Sequence, residues 1–286
     1  MSFKKVFFNI LPLFVLWRIF LFAVAYLSPH LIPAFGATFP YSQERLISTH
    51  LPHFIWAFGN FDGVHYLGIA DMAYAAQYTQ AFFPIFPVLI KLASTLTGGN
   101  LLIAALVVSN SAFLLALTIF YKLIAETYNS KTALWSAVFL LSFPTSFYFG
   151  AVYTEGIFFL LVISAFYLAN RNKIILASII GAFASATRLV GVFLAVALAL
   201  KKKTNPFPPL LIVPLGLVGY MIYLKLEFNQ PLYFLTSQAI FGQERSTTSI
   251  VLLPQVLYRY LKIASTTSGQ TLQIALFELF STLFAL

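Results

Sequence analysis

Long apolar runs constrain this chain more than any other feature of its sequence. Runs of about 15 to 25 apolar residues recur from the first residues to the last, and charged residues make up only 9% of the chain. A typical soluble domain carries about 25% charged residues, whereas a membrane-spanning helix needs about 20 predominantly apolar residues. The runs are continuous and lack the alternation of a transmembrane β-strand. The sequence therefore predicts an all-α, polytopic membrane protein.

The apolar runs predict about eight spans, which we interpret as one membrane domain over residues 1–286. The spans are placed at about 6–28, 100–121, 132–149, 157–170, 174–187, 190–200, 208–225 and 270–286. The run 174–200 is divided because a single helix of this length would measure roughly 40 Å, at 1.5 Å per residue. The hydrocarbon core is only about 30 Å thick, and Thr187 and Arg188 interrupt the run.

Two polar regions separate these spans. Residues 29–99 form a long first outer loop, and residues 226–268 form a second polar outer region. Within the first loop, the apolar segment 81–91 contains two prolines three residues apart, which disfavour a full helical span. We expect an interfacial or re-entrant segment there, with a true span over 84–98 as the alternative.

Charged residues divide unevenly between the two sides of this map. The side that carries the N-terminus holds nine basic residues and one acidic residue, whereas the other side holds seven and six. Short cytoplasmic loops are rich in Lys and Arg, so the first side is predicted to be cytoplasmic. Its basic residues are Lys4, Lys5, Lys122, Lys131, Arg171, Lys173, Lys201, Lys202 and Lys203. The formal net charge of +9 is thereby explained without a nucleic-acid partner.

Four ionisable residues fall at the outer face of this map, on three different connections. They are Asp62, His65, Glu155 and Arg188. Ionisable residues near a bilayer are costly, so a cluster of them indicates a functional site. Each residue alone has a structural alternative. Asp62 can cap a helix, and His65 can be a packing histidine. Glu155 can favour the start of a helix through the dipole, and Arg188 can neutralise a carboxylate.

A carboxylate together with an arginine suits transfer of a group from a phosphate-bearing donor. The planar guanidinium binds phosphate, and the carboxylate takes a proton from the acceptor hydroxyl. The chain has no cysteine, which excludes disulfides and thiolate metal sites. His65 and the nearby aspartates lack the tight spacing of metal ligands. The sequence therefore predicts neither a metal nor another cofactor.

Three stretches carry a resemblance to a known family. They are Phe61–Ala70 followed by Ala81–Pro87, then Phe143–Phe147 with Ala151–Glu155, then Thr187–Gly191, and a fainter match lies at Tyr233–Gly242. In this order they cover about residues 55–245. Together they resemble the PIG-V family of GPI mannosyltransferases, within the GT-C class of membrane glycosyltransferases.

The resemblance implies a GT-C helical bundle with the catalytic carboxylate in the first outer loop. By position in the matched stretches, Asp62 corresponds to that carboxylate, and Glu155 resembles the second acidic position of the class. Phe61 stands where the family usually has tryptophan. The chain ends at Leu286, where family members continue with further spans, which indicates either a shortened relative or a fragment.

A set of site residues follows from the outer cluster and from the matched stretches. We expect Asp62, His65 and Glu155 to be catalytic. The residues expected to bind substrate are Tyr66, Tyr153, Arg188 and Gln238, with Arg188 as the anchor of the donor phosphate.

The predicted function is that of an inverting membrane glycosyltransferase. The resemblance implies transfer of a sugar, typically mannose, from a polyprenyl- or dolichyl-phosphate donor to a glycan or glycolipid acceptor on the outer or lumenal face. The protein would lie among membrane lipids, in the plasma membrane of a prokaryote or the endoplasmic reticulum of a eukaryote. The alternatives are a transporter or flippase of a lipid-linked sugar and a non-catalytic subunit. A transporter often shows internal repeats, and none is visible here.

Overall fold

The computed structural model describes residues 2–32, 40–201, 205–241 and 252–285, and every regular element in these ranges is a helix. The first eight α-helices are α1 Phe3–Leu31, α2 Ser42–Arg45, α3 His53–Trp56, α4 Asp62–Met72, α5 Ile85–Ser94, α6 Leu101–Thr127, α7 Ser130–Ser142 and α8 Glu155–Asn170. They are followed by α9 Ile174–Ser185, α10 Leu194–Ala199, α11 Phe207–Ile212, α12 Leu215–Phe228, α13 Tyr233–Thr236, α14 Leu253–Thr266 and α15 Gly269–Ala285. Short 3-10 helices lie at 47–49, 57–59, 79–81, 144–150, 189–193 and 237–241. The all-α prediction is confirmed.

Within the described ranges, three helical segments are long and apolar enough to cross a bilayer. They are α1, α6 and the continuous stretch of α11 and α12 over 207–228. A fourth arises if α7 and the 3-10 helix 144–150 are counted as one bent span. The polytopic prediction is confirmed, whereas the number of about eight spans stays a prediction.

The predicted span 132–149 is bent rather than straight. Helix α7 ends at Ser142, and the axis of the following 3-10 helix turns by 90°. Phe143 between them is extended, with φ −66° and ψ 135°. The residue before a proline disfavours the helical region, because the proline ring crowds its backbone. Pro144 therefore explains why the helix stops at this point.

The run 174–200 is divided as the sequence predicted. Helix α9 ends at Ser185, Arg188 is extended with φ −150°, and the chain resumes as a 3-10 helix at Leu189. The second limb ends with α10, after which the Lys201 ammonium forms a hydrogen bond with the Asn170 side chain. The first limb thus begins, and the second limb ends, beside the C-terminus of α8, as the predicted return requires. Lys202 and Lys203 lie outside the described residues.

The apolar segment of the first loop is too short for a full span. Helix α5 has ten residues, and it measures about 15 Å, roughly half of the hydrocarbon thickness. It begins directly after Pro84 and packs against α6. This agrees with the expected interfacial or re-entrant segment.

Two clusters of buried residues hold the helices together. The first, between α1, α6 and α7, is rich in aromatic rings, and the rings of Phe113 and Phe149 stack with centroids 4.4 Å apart. The second, between α8, α9 and α10, is built largely from alanines such as Ala165, Ala177 and Ala184. Small residues let helix backbones approach closely, which is how helices associate in membranes.

Helix α8 has a charged group at each end. At its C-terminal end, Glu126 accepts hydrogen bonds from Lys122 at 2.8 Å and from Arg171 at 3.1 Å. At its N-terminal end, Glu155 accepts one from Arg188. Sixteen residues of helix separate the two groups by about 24 Å. The loops that were predicted to share the cytoplasmic side, after α6 and α8, therefore meet at one end.

The chain divides into two compact units, Met1–Ser237 and Gln238–Leu286. In the second unit, α14 and α15 are joined by the Tyr260 hydroxyl, which donates to the Glu278 carboxylate at 2.8 Å. Residues 242–251 of the second polar region lie outside the described residues. The interpretation of residues 1–286 as one domain stays a prediction.

Candidate active site

Asp62 is presented by a strained turn. Phe61, the residue before it, has φ 57° and ψ −117°, a conformation that costs a non-glycine residue about 1–3 kcal/mol. Such strain persists only where the surrounding structure imposes it, and it is common at active sites. Asp62 is exposed and occupies the first position of α4, after the cap. The structure therefore places Asp62 within the helix rather than at its N-cap, where the dipole still favours a carboxylate.

The first turn of α4 lies against the connection that precedes α8. A Cβ atom on Gly63 would lie 3.2 Å from the Cβ of Val152, so a larger residue would push the two segments apart. The Val152 N–H donates to the carbonyl of Phe58 at 2.8 Å. The Tyr153 hydroxyl donates to the carbonyl of Asn60 at 3.3 Å. These contacts hold the loop that carries Asp62 beside the loop that carries Glu155.

Glu155 and Arg188 form an ion pair across two connections. The Arg188 Nη1 donates to the Glu155 Oε1 at 2.5 Å. The Glu155 side chain is 27% exposed, and its Oε2 is buried without a hydrogen-bond partner among the described residues. A buried oxygen without a partner costs free energy, so a hydroxyl donor from a ligand would stabilise this position. The Arg188 side chain is 39% exposed, so a ligand can also reach its guanidinium.

Tyr66 is a buried phenol on α4, the helix that begins with Asp62. Its ring is buried between Phe82 and Phe86, with centroids 5.1 Å from each. Burial raises the pKa of its phenol far above the usual range, and the negative charges of Asp62 and Glu155 raise it further. A hydrogen bond with Thr154 and the charge of Arg188 act in the opposite direction. Tyr66 is therefore a neutral phenol that lies within electrostatic reach of every charged residue of the site.

Tyr153 is a second phenol at the same place. Burial is the main cause that raises its pKa far above the usual range, and the charge of Asp62 adds to the shift. Its ring meets Tyr148, with centroids 4.8 Å apart. The two predicted substrate-binding tyrosines thus lie on the two loops that carry the carboxylates, as neutral groups that donate or accept a hydrogen bond.

His65 lies one turn after Asp62 on α4 and is half-buried. Its imidazole stacks on Phe82, with centroids 4.9 Å apart and an angle of 21° between the planes. Burial lowers the pKa of His65 below its usual 6.5, so the ring is neutral at pH 7. The aromatic stacking fits the packing alternative, and the position near Asp62 fits an orienting role.

Gln238 is the first residue of the second unit, half-buried in the 3-10 helix 237–241. The other predicted residues all lie in the first unit. Its assignment to substrate binding stays a prediction. Among the described residues, no three His, Cys, Asp or Glu side chains cluster in a way that could hold a metal ion.

Arg18 has a role that sequence reasoning did not specify. It lies in the middle of α1, is 8% exposed, and donates to the carbonyl of Gly150 at 3.1 Å. The Asn110 amide donates to the same carbonyl at 3.1 Å. The guanidinium also lies 4.3 Å from the ring centroid of Phe22 and 4.5 Å from that of Phe58. An arginine inside an apolar run was the available signal, but its hydrogen-bond partner, the carbonyl of Gly150, is 132 residues away in sequence.

The fold and the site together indicate the general class of protein. The first unit is a polytopic helical membrane bundle that gathers a carboxylate, an ion pair and two neutral phenols at one end of its helices. Charged groups at such a position mark binding or chemistry at the membrane surface.

The chain belongs to the family described as mannosyltransferase (PIG-V), whose model matches residues 5–212. It is 28% identical over 171 residues to GPI mannosyltransferase 2 of Cryptococcus neoformans var. neoformans serotype D, which covers 56% of this chain and 39% of the relative. It is 26% identical over 136 residues to GPI mannosyltransferase 2 of Drosophila pseudoobscura pseudoobscura, which covers 44% of this chain and 29% of the relative. The chain therefore spans less than half the length of the curated relatives it matches. No solved structure matches it.

Proposed function

We propose that the protein is a membrane mannosyltransferase that transfers mannose from a polyprenyl- or dolichyl-phosphate donor to a hydroxyl of a glycan or glycolipid. The observation that carries the proposal is that the turn presenting Asp62 packs against the connection that leads to the Glu155–Arg188 ion pair, through the Gly63–Val152 approach and the bond from the Tyr153 hydroxyl to the Asn60 carbonyl. Family membership supports the reaction class. The relatives' name, GPI mannosyltransferase 2, favours a glycolipid of the GPI type as the acceptor.

The proposed reaction is a direct displacement at the anomeric carbon of the sugar. The acceptor oxygen forms a bond to this carbon while the bond from the carbon to the phosphate oxygen breaks, and the electron pair leaves with the phosphate. Asp62 accepts the proton of the attacking hydroxyl, as a general base. Arg188 binds the phosphate and stabilises its developing charge. Attack opposite the leaving group inverts the anomeric configuration.

The remaining residues position the substrates. The unpartnered Oε2 of Glu155 suits a hydroxyl of the sugar or of the acceptor. Tyr66 and Tyr153 are neutral phenols, so they can donate hydrogen bonds to phosphate or sugar oxygens without adding negative charge. His65 supports the helix that carries Asp62, and Gln238 is proposed to contact substrate. The proposal requires no metal, because the guanidinium supplies the positive charge for the leaving group.

The test is mannosyl transfer by the purified chain in lipid nanodiscs, with mannosyl-phosphoryl-polyprenol as sugar donor and a glycolipid with a free mannose hydroxyl as acceptor. We expect a new glycosidic bond of inverted configuration and release of polyprenyl phosphate. A transporter or flippase would instead move the sugar donor between leaflets without forming a bond. That outcome, or product with retained configuration, would contradict the proposal.

The proposal places the reaction on the outer or lumenal face, in the plasma membrane or in the endoplasmic reticulum. Because the chain has no cysteine, single cysteines at Ser48 and Ser130 can report sidedness. Both residues are exposed, the first in the first loop and the second at the start of α7. In sealed membranes, an impermeant reagent should label Ser48→Cys and not Ser130→Cys. The reverse pattern would place the site on the cytoplasmic face.

A further inference from the structure

An apolar cavity of about 980 Å³ lies between α1 and the bent segment formed by α7 and the 3-10 helix 144–150. This volume is at the upper end of the range of about 300–1,000 Å³ for small-molecule sites. Its walls include Leu13, Phe20 and Val24 of α1 and Val138, Leu141 and Phe147 of the bent segment. None of the described residues that line it is charged. The cavity is therefore suited to hydrocarbon.

One end of the cavity adjoins the candidate active site. Asn60, Phe61 and Tyr153 line it, and the first two directly precede Asp62 in the chain. Tyr148 and Tyr153 meet there with ring centroids 4.8 Å apart. The Oδ1 of Asn60 is buried without a hydrogen-bond partner among the described residues. The cavity thus runs from a mainly apolar region to a neutral polar mouth beside the turn that presents Asp62.

The other side of the cavity opens between exposed apolar side chains. Leu16 and Phe20 on α1 are 65% and 63% exposed, and Phe143 at the bend is 53% exposed. Helix α1 is long and apolar enough to cross a bilayer, so exposed apolar residues on it face lipid chains. A hydrocarbon chain can therefore enter the cavity sideways from the membrane.

We propose that this cavity binds the first isoprenoid units of the lipid-phosphate sugar donor, an inference that rests on the proposed function. In this donor, the reacting anomeric carbon is separated from the hydrocarbon by a single phosphate. In a glycolipid acceptor, intervening sugars separate the reacting hydroxyl from the lipid chains. A hydrocarbon cavity whose mouth lies beside Asp62 is therefore at the right distance for the chain of the donor and too close for the chains of the acceptor.

The occupant of the cavity can be tested by substituting two alanines on α1. Ala25 lines the cavity, whereas Ala23 on α1 is exposed and does not line it. We expect Ala25→Trp to fill the cavity and raise the KM for a long-chain polyprenyl donor by about tenfold or more, the equivalent of roughly two buried methylene groups. The KM for a farnesyl donor should change less, the acceptor KM should stay constant, and Ala23→Trp should behave as the parent.

A binding measurement separates this inference from the proposed function. Polyprenyl phosphate without a sugar, carrying a diazirine on its first isoprene units, should cross-link to Phe20 and Phe147 in the parent and much less in Ala25→Trp. Such cross-linking in a chain that transfers no sugar would support the cavity and contradict the proposed function. Sugar transfer with cross-links elsewhere would overturn the cavity assignment alone, and a raised acceptor KM in Ala25→Trp would assign the cavity to the acceptor instead.

Discussion

The two ends of helix α8 each hold a glutamate bonded to an arginine, but the two pairs differ in their surroundings. Glu126 is bonded to both Lys122 and Arg171, and the side chains of this glutamate and this arginine are 39% and 44% exposed. Glu155 is bonded to Arg188 alone, is 27% exposed, and keeps one buried oxygen without a partner among the described residues. Glu126 is thus already hydrogen-bonded to two cations, whereas Glu155 can still accept a hydrogen bond from a ligand.

The two ion pairs therefore differ in what they contribute to the protein. The Glu126–Arg171 pair is exposed, and an exposed ion pair contributes about 0–1 kcal/mol to stability and is screened by salt. It lies among the basic residues that are predicted to be cytoplasmic. The Glu155 pair lies beside a buried phenol and an aspartate in a strained turn, and the protein bears these costs where a substrate would bind. The chemistry of a charged pair therefore depends on what else is buried with it.

The largest expected effect is that of Asp62→Asn. Asparagine keeps the size of the side chain but cannot accept the hydroxyl proton, and a general base contributes about 10²–10⁴-fold. We expect the transfer rate to fall within this range while the binding of the sugar donor is retained. Transfer should be measured together with protein yield and thermal stability. If Asp62→Asn stays active and only Asp62→Ala loses stability, the residue has a structural role in the first turn of α4 rather than a catalytic one.

The next largest effect is expected at Arg188, with Arg171 as the matched control at the other end. Arg188→Leu should weaken binding of the sugar donor by about 2–5 kcal/mol, as for a truncated charge contact, and the partial exposure of Arg188 favours the lower value. Arg188→Lys should be weaker than the parent because it loses the planar fork. Arg171→Leu should bind the donor as the parent does. Equal effects at both arginines would show that Arg188 acts only through folding.

Glu155→Gln and Glu126→Gln compare directly the two glutamates at the ends of α8. Glu155→Gln removes the negative charge that orients Arg188. The hydrogen bond from Arg188 then loses its charged acceptor, and a hydrogen bond to a charged group is worth about 1.5–3 kcal/mol. We therefore expect kcat/KM for transfer to fall by about 10- to 100-fold, whereas Glu126→Gln should change it less than about twofold. Steady-state kinetics on both variants measure this. A comparable loss in the two variants would remove the distinction between the ends.

The smallest effect concerns His65 and pH. Burial lowers its pKa in the folded state below 6.5, so between the two values the unfolded state binds more protons and the free energy of unfolding rises with pH. The stability from neutral His65 is thus complete above pH about 6.5 and is lost as pH falls. The thermal midpoint of His65→Gln should fall less between pH 7 and pH 5 than that of the parent. A parental slope in His65→Gln would contradict the assignment.

The sequence determined the helical class, the division of 174–200 and the stretch that carries the candidate site. Hydrophobicity along a chain is a local property, and the run 174–200 is divided where the polar residues Thr187 and Arg188 interrupt it. The grouping of loops by basic residues also followed, because positive charge collects on one side of a membrane. The Phe61–Ala70 stretch could be found because polar residues are conspicuous in so apolar a chain.

Only the tertiary structure decided which side chains meet. The bond between Arg188 and Glu155 joins residues 33 apart, and that from Arg18 to Gly150 joins residues 132 apart. Such pairs depend on how helices pack and on how closely loops approach, as where Gly63 admits the backbone of Val152. The cavity beside α1 arises in the same way. Local patterns fix the elements, whereas the contacts between elements depend on side-chain shape over long sequence separations, which no single stretch encodes.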